Sequence, residues 1–480
     1  MASKRNHLIF AALASLFSAI AWFFGTGLHP IWWLTWLAPL PVLFAALRLS
    51  RWTAFGVALA AFAFGGLNVW SYDRIVTPLF ITLVILFAPA FLFAWIVSMH
   101  RAFIRRGQTF RAAFALPILW SAFEYLLEFR SPHSTWGNLA YSQMDCLPLI
   151  QIASITGIWA ISFLVFLFSS TIAALFASVS RKRALAITAA AIYAAVFGFG
   201  VYRLHSDPAS PRVTVALIAS DLSGTLYPRE PATVALVRAY ADHIPALAAQ
   251  GATVIIIPEK IGRIQGAGLT QADSILEQAA RDNHVTVLIG VEHQPNLNEA
   301  RLYSPDGRLE ATYEKHHMLP AFESYLFSGT ARLTFTRPSD DGTEGKWGVE
   351  ICKDMDFPLL ARQYSNDGVG LLLVPAWDFI ADGWLHDRMA VLRGVESGFS
   401  IARVAKQGLL TLTDDRGRVL AERNSSAQLW NTSDPFTTLT GSIPVRNEPT
   451  IYARTGDWFA WLDLALAVLL FLPLGRNESY

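Results

Sequence analysis

Cysteine is nearly absent from this chain of 480 residues, which has two, Cys146 and Cys352. That excludes a disulfide framework and a cysteine-rich metal site, and leaves a single reactive thiol as the chemistry cysteine could supply. Charge is also scarce, at 16% of residues, and the 38 Lys+Arg nearly cancel the 37 Asp+Glu. No global field draws in nucleic acid or an acidic surface, so charge acts only locally. Internal repeats and long low-complexity segments are missing as well, so nothing points to a repeat architecture.

What is abundant is apolar. Hydrophobic residues make up 53% of the chain, too many for one ordinary soluble domain of this length, and a membrane part is expected. Of 16 Trp, Trp32, Trp33, Trp36, Trp70, Trp136 and Trp458 lie at the ends of apolar runs, where an indole suits the headgroup layer. Runs of about 20 apolar residues, each able to cross about 30 Å of hydrocarbon, lie near 7–25, 31–49, 53–72, 77–99, 110–129, 155–177 and 184–202. An eighth lies near 457–474. Basic residues occupy every second loop: Lys4 and Arg5, Arg48 and Arg51, Arg101 to Arg111, then Arg181, Lys182 and Arg183. Because such residues resist translocation, the N-terminus is expected in the cytoplasm, everything after Arg203 outside, and the tail with Arg476 inside. A cleaved signal peptide is the alternative reading of the first run; it leaves the large domain on the same side.

The expected organisation is a transmembrane helical bundle over 1–203, a polar linker over 204–212, an α/β domain over 213–447, and a last transmembrane helix with its tail over 448–480. Within the α/β part, Val213–Ala219, Thr253–Ile257, Val285–Val291, Trp347–Ile351 and Gly370–Val374 read as buried strands from their Val, Ile and Leu content. Pro305-Asp306-Gly307 and Asp415-Arg416-Gly417 mark tight turns between strands.

Three residues stand at or just after predicted strand ends, where α/β sheets place working groups: Glu259 in IIIPEK, Lys315 in TYEKHHMLP and Cys352 in GVEICKDMDFP. A thiol is mostly protonated at neutral pH, so a nucleophilic cysteine needs a base or a neighbouring cation. Glu259 and Lys315 supply both, and the lysine could also donate to an oxyanion. The trio reads as acyl transfer through a thioester. Taken singly, each has a bland reading as a buried small hydrophobe, a solvated lysine or a loop glutamate. His316 and His317 have no third ligand at metal spacing and read as loop residues, so neither metal nor cofactor is expected.

In their order, PEK, YEKHHMLP and ICKDMDFP resemble the Glu, Lys and Cys motifs of the nitrilase superfamily of carbon-nitrogen hydrolases. LLLVPAWD and HDRMAVLRGVESGFSIARVAKQGLLTLTDDRGRVLAE are similar to that family's next strand, helix and hairpin. In the apolar half, Phe123-Glu124, Trp136 to Gln143 and Gly157-Ile158-Trp159 resemble the bacterial apolipoprotein N-acyltransferase family. The resemblance implies an αββα sandwich beside eight transmembrane helices, with Glu259 as general base, Lys315 as oxyanion stabiliser and Cys352 as nucleophile. It implies a phospholipid acyl donor and a diacylglyceryl-cysteine acceptor on a lipoprotein, at the extracytoplasmic face of a bacterial inner membrane. It also implies that Glu323 is a second carboxylate holding the lysine.

Departures from the family pattern are Lys353 and Asp354 where an aromatic residue and Glu are usual, Ile257 before Pro258-Glu259 where Trp is usual, and AFESYLF in place of a glycine-containing loop. Lys353 is expected to lower the thiol pKa or to meet an anionic headgroup, and Asp354 to support the site. Glu124 falls inside a span, where a carboxylate needs a partner or a water-filled cavity, and a structural hydrogen bond to a neighbouring helix is expected. Trp136 and Tyr141 are candidate walls of a lipid entrance. The competing functions are a membrane-tethered amidase, in which water resolves the thioester, and a non-catalytic membrane scaffold. Few paired charges in the spans argue against a transporter.

Overall fold

The structure, a computed structural model, describes residues 2–177, 181–206, 209–222, 226–431 and 433–472. Contacts divide the chain into two units: 1–131, 137–205 and 457–480 form one, and 132–136 with 206–456 form the other.

In the first unit, apolar runs become helices. Six described helices are long and apolar enough to cross a membrane: Asn6–Gly25, Arg51–Val76, Leu79–Arg105, Thr109–Arg130, Trp159–Phe176 and Lys182–His205. The expected spans near 31–49 and 457–474 differ from this. The first is broken into Leu34–Leu37 and Leu40–Arg48, because Pro39 and Pro41 remove backbone donors and favour helix starts. The second is a helix of 14 residues, Trp458–Phe471, about 21 Å long at about 1.5 Å per residue; Arg476 lies outside the described residues. Aromatic rings fill the centre of this unit, with Trp22 against Phe62 at 4.9 Å and Trp120 against Phe166 at 5.0 Å. Glu124 accepts a hydrogen bond from Leu139 N at 2.8 Å, so the carboxylate holds the turn that follows its helix, as expected of a structural partner.

In the second unit, thirteen strands among the described residues form two sheets. Strands β1 (Arg212–Ala219), β2 (Val254–Ile257), β3 (Arg263–Ile264), β4 (Thr286–His293), β5 (Leu297–Tyr303) and β6 (Leu309–Glu314) join β13 (Thr437–Pro444) in the order β13-β1-β2-β4-β5-β6, with β3 beside β4. Strands β7 (Leu333–Pro338), β8 (Glu344–Val349), β9 (Leu371–Trp377), β10 (Ser400–Lys406), β11 (Leu409–Thr413) and β12 (Val419–Asn424) form the second sheet, ordered β12-β11-β10-β9-β8-β7.

Side chains alternate across each strand, and the alternation builds the layers. Val213, Val215 and Leu217 of β1 share one core with Trp347, Val349, Leu371 and Leu373 of the other sheet. Ala216 and Ile218 face the opposite way, against Val237 and Tyr240 of helix Ala232–Ala241 and Leu276 of helix Gly266–Asn283. Leu372 and Val374 likewise meet Leu360 and Tyr364 of helix Pro358–Asn366 and Ala390 of helix Gly383–Ser397. The result is an αββα sandwich, and the five strands read from the sequence all belong to its centre.

Candidate active site

Glu259 follows the end of β2, and glycine on the next strand allows its close approach. A Cβ at Gly290 would lie 2.5 Å from Glu259 Cα and 2.7 Å from the Pro258 oxygen, so only glycine fits. Gly290 N donates to Pro258 O at 3.1 Å and Ile261 N to Gly290 O at 3.0 Å, which fixes the turn. Lys315 directly follows β6. Its amine donates to Glu259 Oε1 and Glu323 Oε2, both at 2.8 Å.

Two further side chains complete the set. Asn298 Nδ2 bridges Glu259 Oε1 at 2.6 Å and Glu323 Oε1 at 3.1 Å, and Lys260 pairs with Glu323. Two ammonium groups thus face two carboxylates. Glu259, Lys315 and Glu323 are 1%, 2% and 3% exposed, a depth at which an unmatched charge would be very costly. Burial disfavours the Lys315 ammonium, yet Glu259 and then Glu323 hold its pKa well above the ordinary lysine value. Glu323 is depressed against its own burial, first by Lys315 and then by Lys260.

Cys352 opens a 3-10 turn, Cys352–Asp356, with φ of 47°, a left-handed conformation unfavourable for a side chain with a Cβ. Asp354 holds the turn by accepting from Ile351 N at 3.2 Å, Tyr313 OH at 2.8 Å and His317 N at 2.8 Å. One carboxylate therefore ties the cysteine turn to the segment that carries Lys315. The half-buried thiol donates to Trp377 O at 3.5 Å. Burial, and next the Glu259 carboxylate, push the Cys352 thiol well above its ordinary pKa, while Lys315 works against them. The thiol and the Glu259 carboxylate thus lie close enough to interact electrostatically.

The expectation for Lys353 needs correction. Its side chain is 6% exposed and its amine turns to Asp356 Oδ2 at 3.0 Å and His133 Nδ1 at 3.2 Å. It is a strut inside the unit and offers no free cation to a headgroup. Tyr141 is 2% exposed, so its ring is packed rather than presented as a wall; Trp136 is half-buried and falls in the other unit. His317 Nδ1 meets Asp354 at 2.9 Å, which accounts for it as a loop anchor.

Sequence reasoning missed Asn298, Lys260 and the Asp378–Arg403 pair. Arg403 donates to both Asp378 oxygens at 3.0 and 2.6 Å, beside the carbonyl that receives the thiol. His386 Nδ1 lies 3.0 Å from Asp382; burial opposes its charge, but Asp382 pushes its pKa up to about 9. Asn298 and Arg403 are buried on β5 and β10, strands that carry several polar residues, LNEARLY and SIARVAK, so neither stood out locally.

Two family models match the chain, one after the other. The family model described as apolipoprotein N-acyltransferase N-terminal domain matches residues 18–171, and that of carbon-nitrogen hydrolase matches residues 231–428. The apolipoprotein N-acyltransferase of Geobacter metallireducens is 24% identical, over 100% of this chain and 97% of its own. That of Haemophilus ducreyi is 24% identical over 90% of each. Among solved structures, an amidase from Nesterenkonia sp. aligns with 18% identity and a TM-score of 0.40, over 54% of this chain and 98% of that one. With the two family models in tandem along the sequence, and relatives of one name matching over 90% or more of their length, the chain is similar throughout to the apolipoprotein N-acyltransferases.

Proposed function

We propose that this membrane enzyme moves a fatty acyl chain from a phospholipid, through a thioester on Cys352, to the α-amino group of a diacylglyceryl-cysteine at the N-terminus of a lipoprotein. The observation that carries the mechanism is the buried Glu259–Lys315–Glu323 network, electrostatically coupled to a protonated thiol on a left-handed turn. Glu259 takes the Cys352 proton as sulfur attacks the ester carbonyl. The oxyanion is met by the Lys315 ammonium and the backbone N–H of Lys353. Collapse expels the lysophospholipid alkoxide, which regains the proton from Glu259. In the second half, the acceptor amine attacks the thioester, Glu259 takes its proton, and the thiolate leaves and is reprotonated. Glu323 and Asn298 hold the lysine and the base in place.

We assign eight crossings, with residues 213–447 as the catalytic domain on the extracytoplasmic side. Both short helices run from one end of the helical unit to the other, which supports this count. Trp458 Nε1 donates to Ile155 O at 2.8 Å, whereas Leu472 O accepts from Arg111 at 2.8 Å. Trp36 Nε1 donates to Gln143 at 2.6 Å, whereas Leu49 O, one residue past Arg48, accepts from Arg101 at 3.1 Å. Arg101 and Arg111 thus sit at one end, the one expected in the cytoplasm.

The test is intact-mass measurement of the purified enzyme after incubation with phospholipid alone. A fatty acyl increment, removed by an added diacylglyceryl-cysteine peptide and missing in Cys352→Ala, is expected. An increment that persists in Cys352→Ala would overturn the assignment. Rapid loss of the increment to water without acceptor would make the enzyme a hydrolase instead.

A further inference from the structure

Lys406, the last residue of β10, is 1% exposed and lies in the stretch similar to the family's hairpin, where the sequence assigned it no role. Its amine donates to Lys260 O at 2.6 Å and to Leu226 O, and it lies 3.6 Å from the ring centroid of Trp377. Two carbonyls and one aromatic face match the three N–H bonds of an ammonium, which is how such a group is tolerated at this depth.

The carbonyl it grips is informative. Lys260 directly follows Glu259 and has φ of 41°, a left-handed conformation unfavourable for a residue other than glycine, which needs outside support. The support comes from both ends of the residue: Glu323 holds its ammonium and Lys406 its carbonyl oxygen. Lys406 also lies against Trp377, the residue whose own carbonyl receives the Cys352 thiol. Burial pushes the Lys406 amine well below its ordinary pKa, while the Glu259 charge works against that, so the lysine and the base are close enough to feel each other.

We infer that Lys406 is a positioning residue for the transfer reaction, holding the strained turn after Glu259 so that the carboxylate stays in reach of the thiol. The inference rests on the reading of Cys352 as the acylated nucleophile. Lys406 touches neither substrate nor reacting atoms, and it acts through Lys260.

The experiment measures the rate of thioester formation on Cys352 in the full-length enzyme, with phospholipid alone, for the wild type, Lys406→Met and Lys406→Gln. Lys406→Met keeps length and removes every donor. Its acylation rate is expected to fall about 10- to 100-fold, the scale of a small misplacement of a reacting group, with the donor concentration for half-maximal rate little changed. Lys406→Gln, which keeps a donor, is expected to fall between. In a Glu259→Gln background, Lys406→Met should add less than about twofold, because two residues acting as one unit are not additive.

If wild type forms no thioester, the nucleophile assignment fails. If wild type acylates and Lys406→Met does so at the same rate, only the role of Lys406 fails. Full additivity in the double variant, or failure of both single variants to accumulate folded in the membrane, would assign Lys406 to the general stability of the sheet and overturn the inference.

Discussion

At the scale of residues, the roles proposed for Glu259, Lys315 and Cys352 should fail differently when each is removed. Lys315→Ala removes an oxyanion donor and should slow acylation of Cys352 by about 10² to 10³, with donor binding little changed. Glu259→Gln keeps shape and loses the proton acceptor, so its residual acylation should rise with pH as hydroxide deprotonates the thiol. Equal pH profiles for the two variants in a mass-spectrometric acylation assay would show the roles to be wrong. A second titration concerns stability. His386 has its pKa raised in the folded state from 6.5 to about 9. Its contribution is therefore complete below pH 6.5 and is lost as pH rises through about 9, by up to roughly 3 kcal/mol. Thermal unfolding of the wild type should drop in midpoint between pH 6.5 and 9.5, and His386→Gln should flatten that part of the curve. An unchanged slope in the variant would assign the pH dependence to other groups.

At the scale of elements, the readable strands were those whose faces are both apolar. β1, β2, β4 and β9 are buried by the sheet partner on one side and helices on the other, so continuous Val, Ile and Leu gave them away, whereas β8 was read only from its buried end, Trp347 to Val349. β5 was not read, because its sequence LNEARLY places Asn298, Glu299 and Arg301 in the interior. Those charges are matched in space, Arg301 meeting Asp273 at 2.9 Å and Glu299 at 3.2 Å, and no local pattern announces a partner on a helix 28 residues away. The same reason hid Asn298 and Lys260, whereas Glu259, Lys315 and Cys352 were visible because strand ends and short motifs are local. The span over 31–49 was legible in its apolar content but not in its break, which Pro39 and Pro41 place within it. One element-level prediction follows from the contact at β4. Gly290→Ala puts a methyl 2.5 Å from Glu259 Cα, so the turn must move. The variant should insert and express, yet lose most acylation, and reacting it with a small thiol reagent should show Cys352 still accessible. Wild-type acylation by Gly290→Ala would mean the turn tolerates the shift.

At the scale of the whole molecule, orientation is the property that the alternating basic loops decide. A membrane-impermeant thiol label applied to spheroplasts should reach a cysteine placed at the exposed Asp306 and miss one placed at Lys182. The opposite pattern would invert the topology and remove the lipoprotein acceptor from reach. The division of the chain carries a consequence for biosynthesis. Residues 132–136 follow a long helix of the first unit but belong to the second, where Thr135 Oγ1 donates to Asp356 O at 2.9 Å and His133 meets Lys353 at 3.2 Å. These partners are 221 and 220 residues apart in sequence. At about 5–20 residues per second of synthesis, the segment waits on the order of 10 to 40 seconds for the turn it will clasp. The turn bearing Cys352 is thus finished by a piece of chain made long before it, and the two are joined only after the strands between them have been translated.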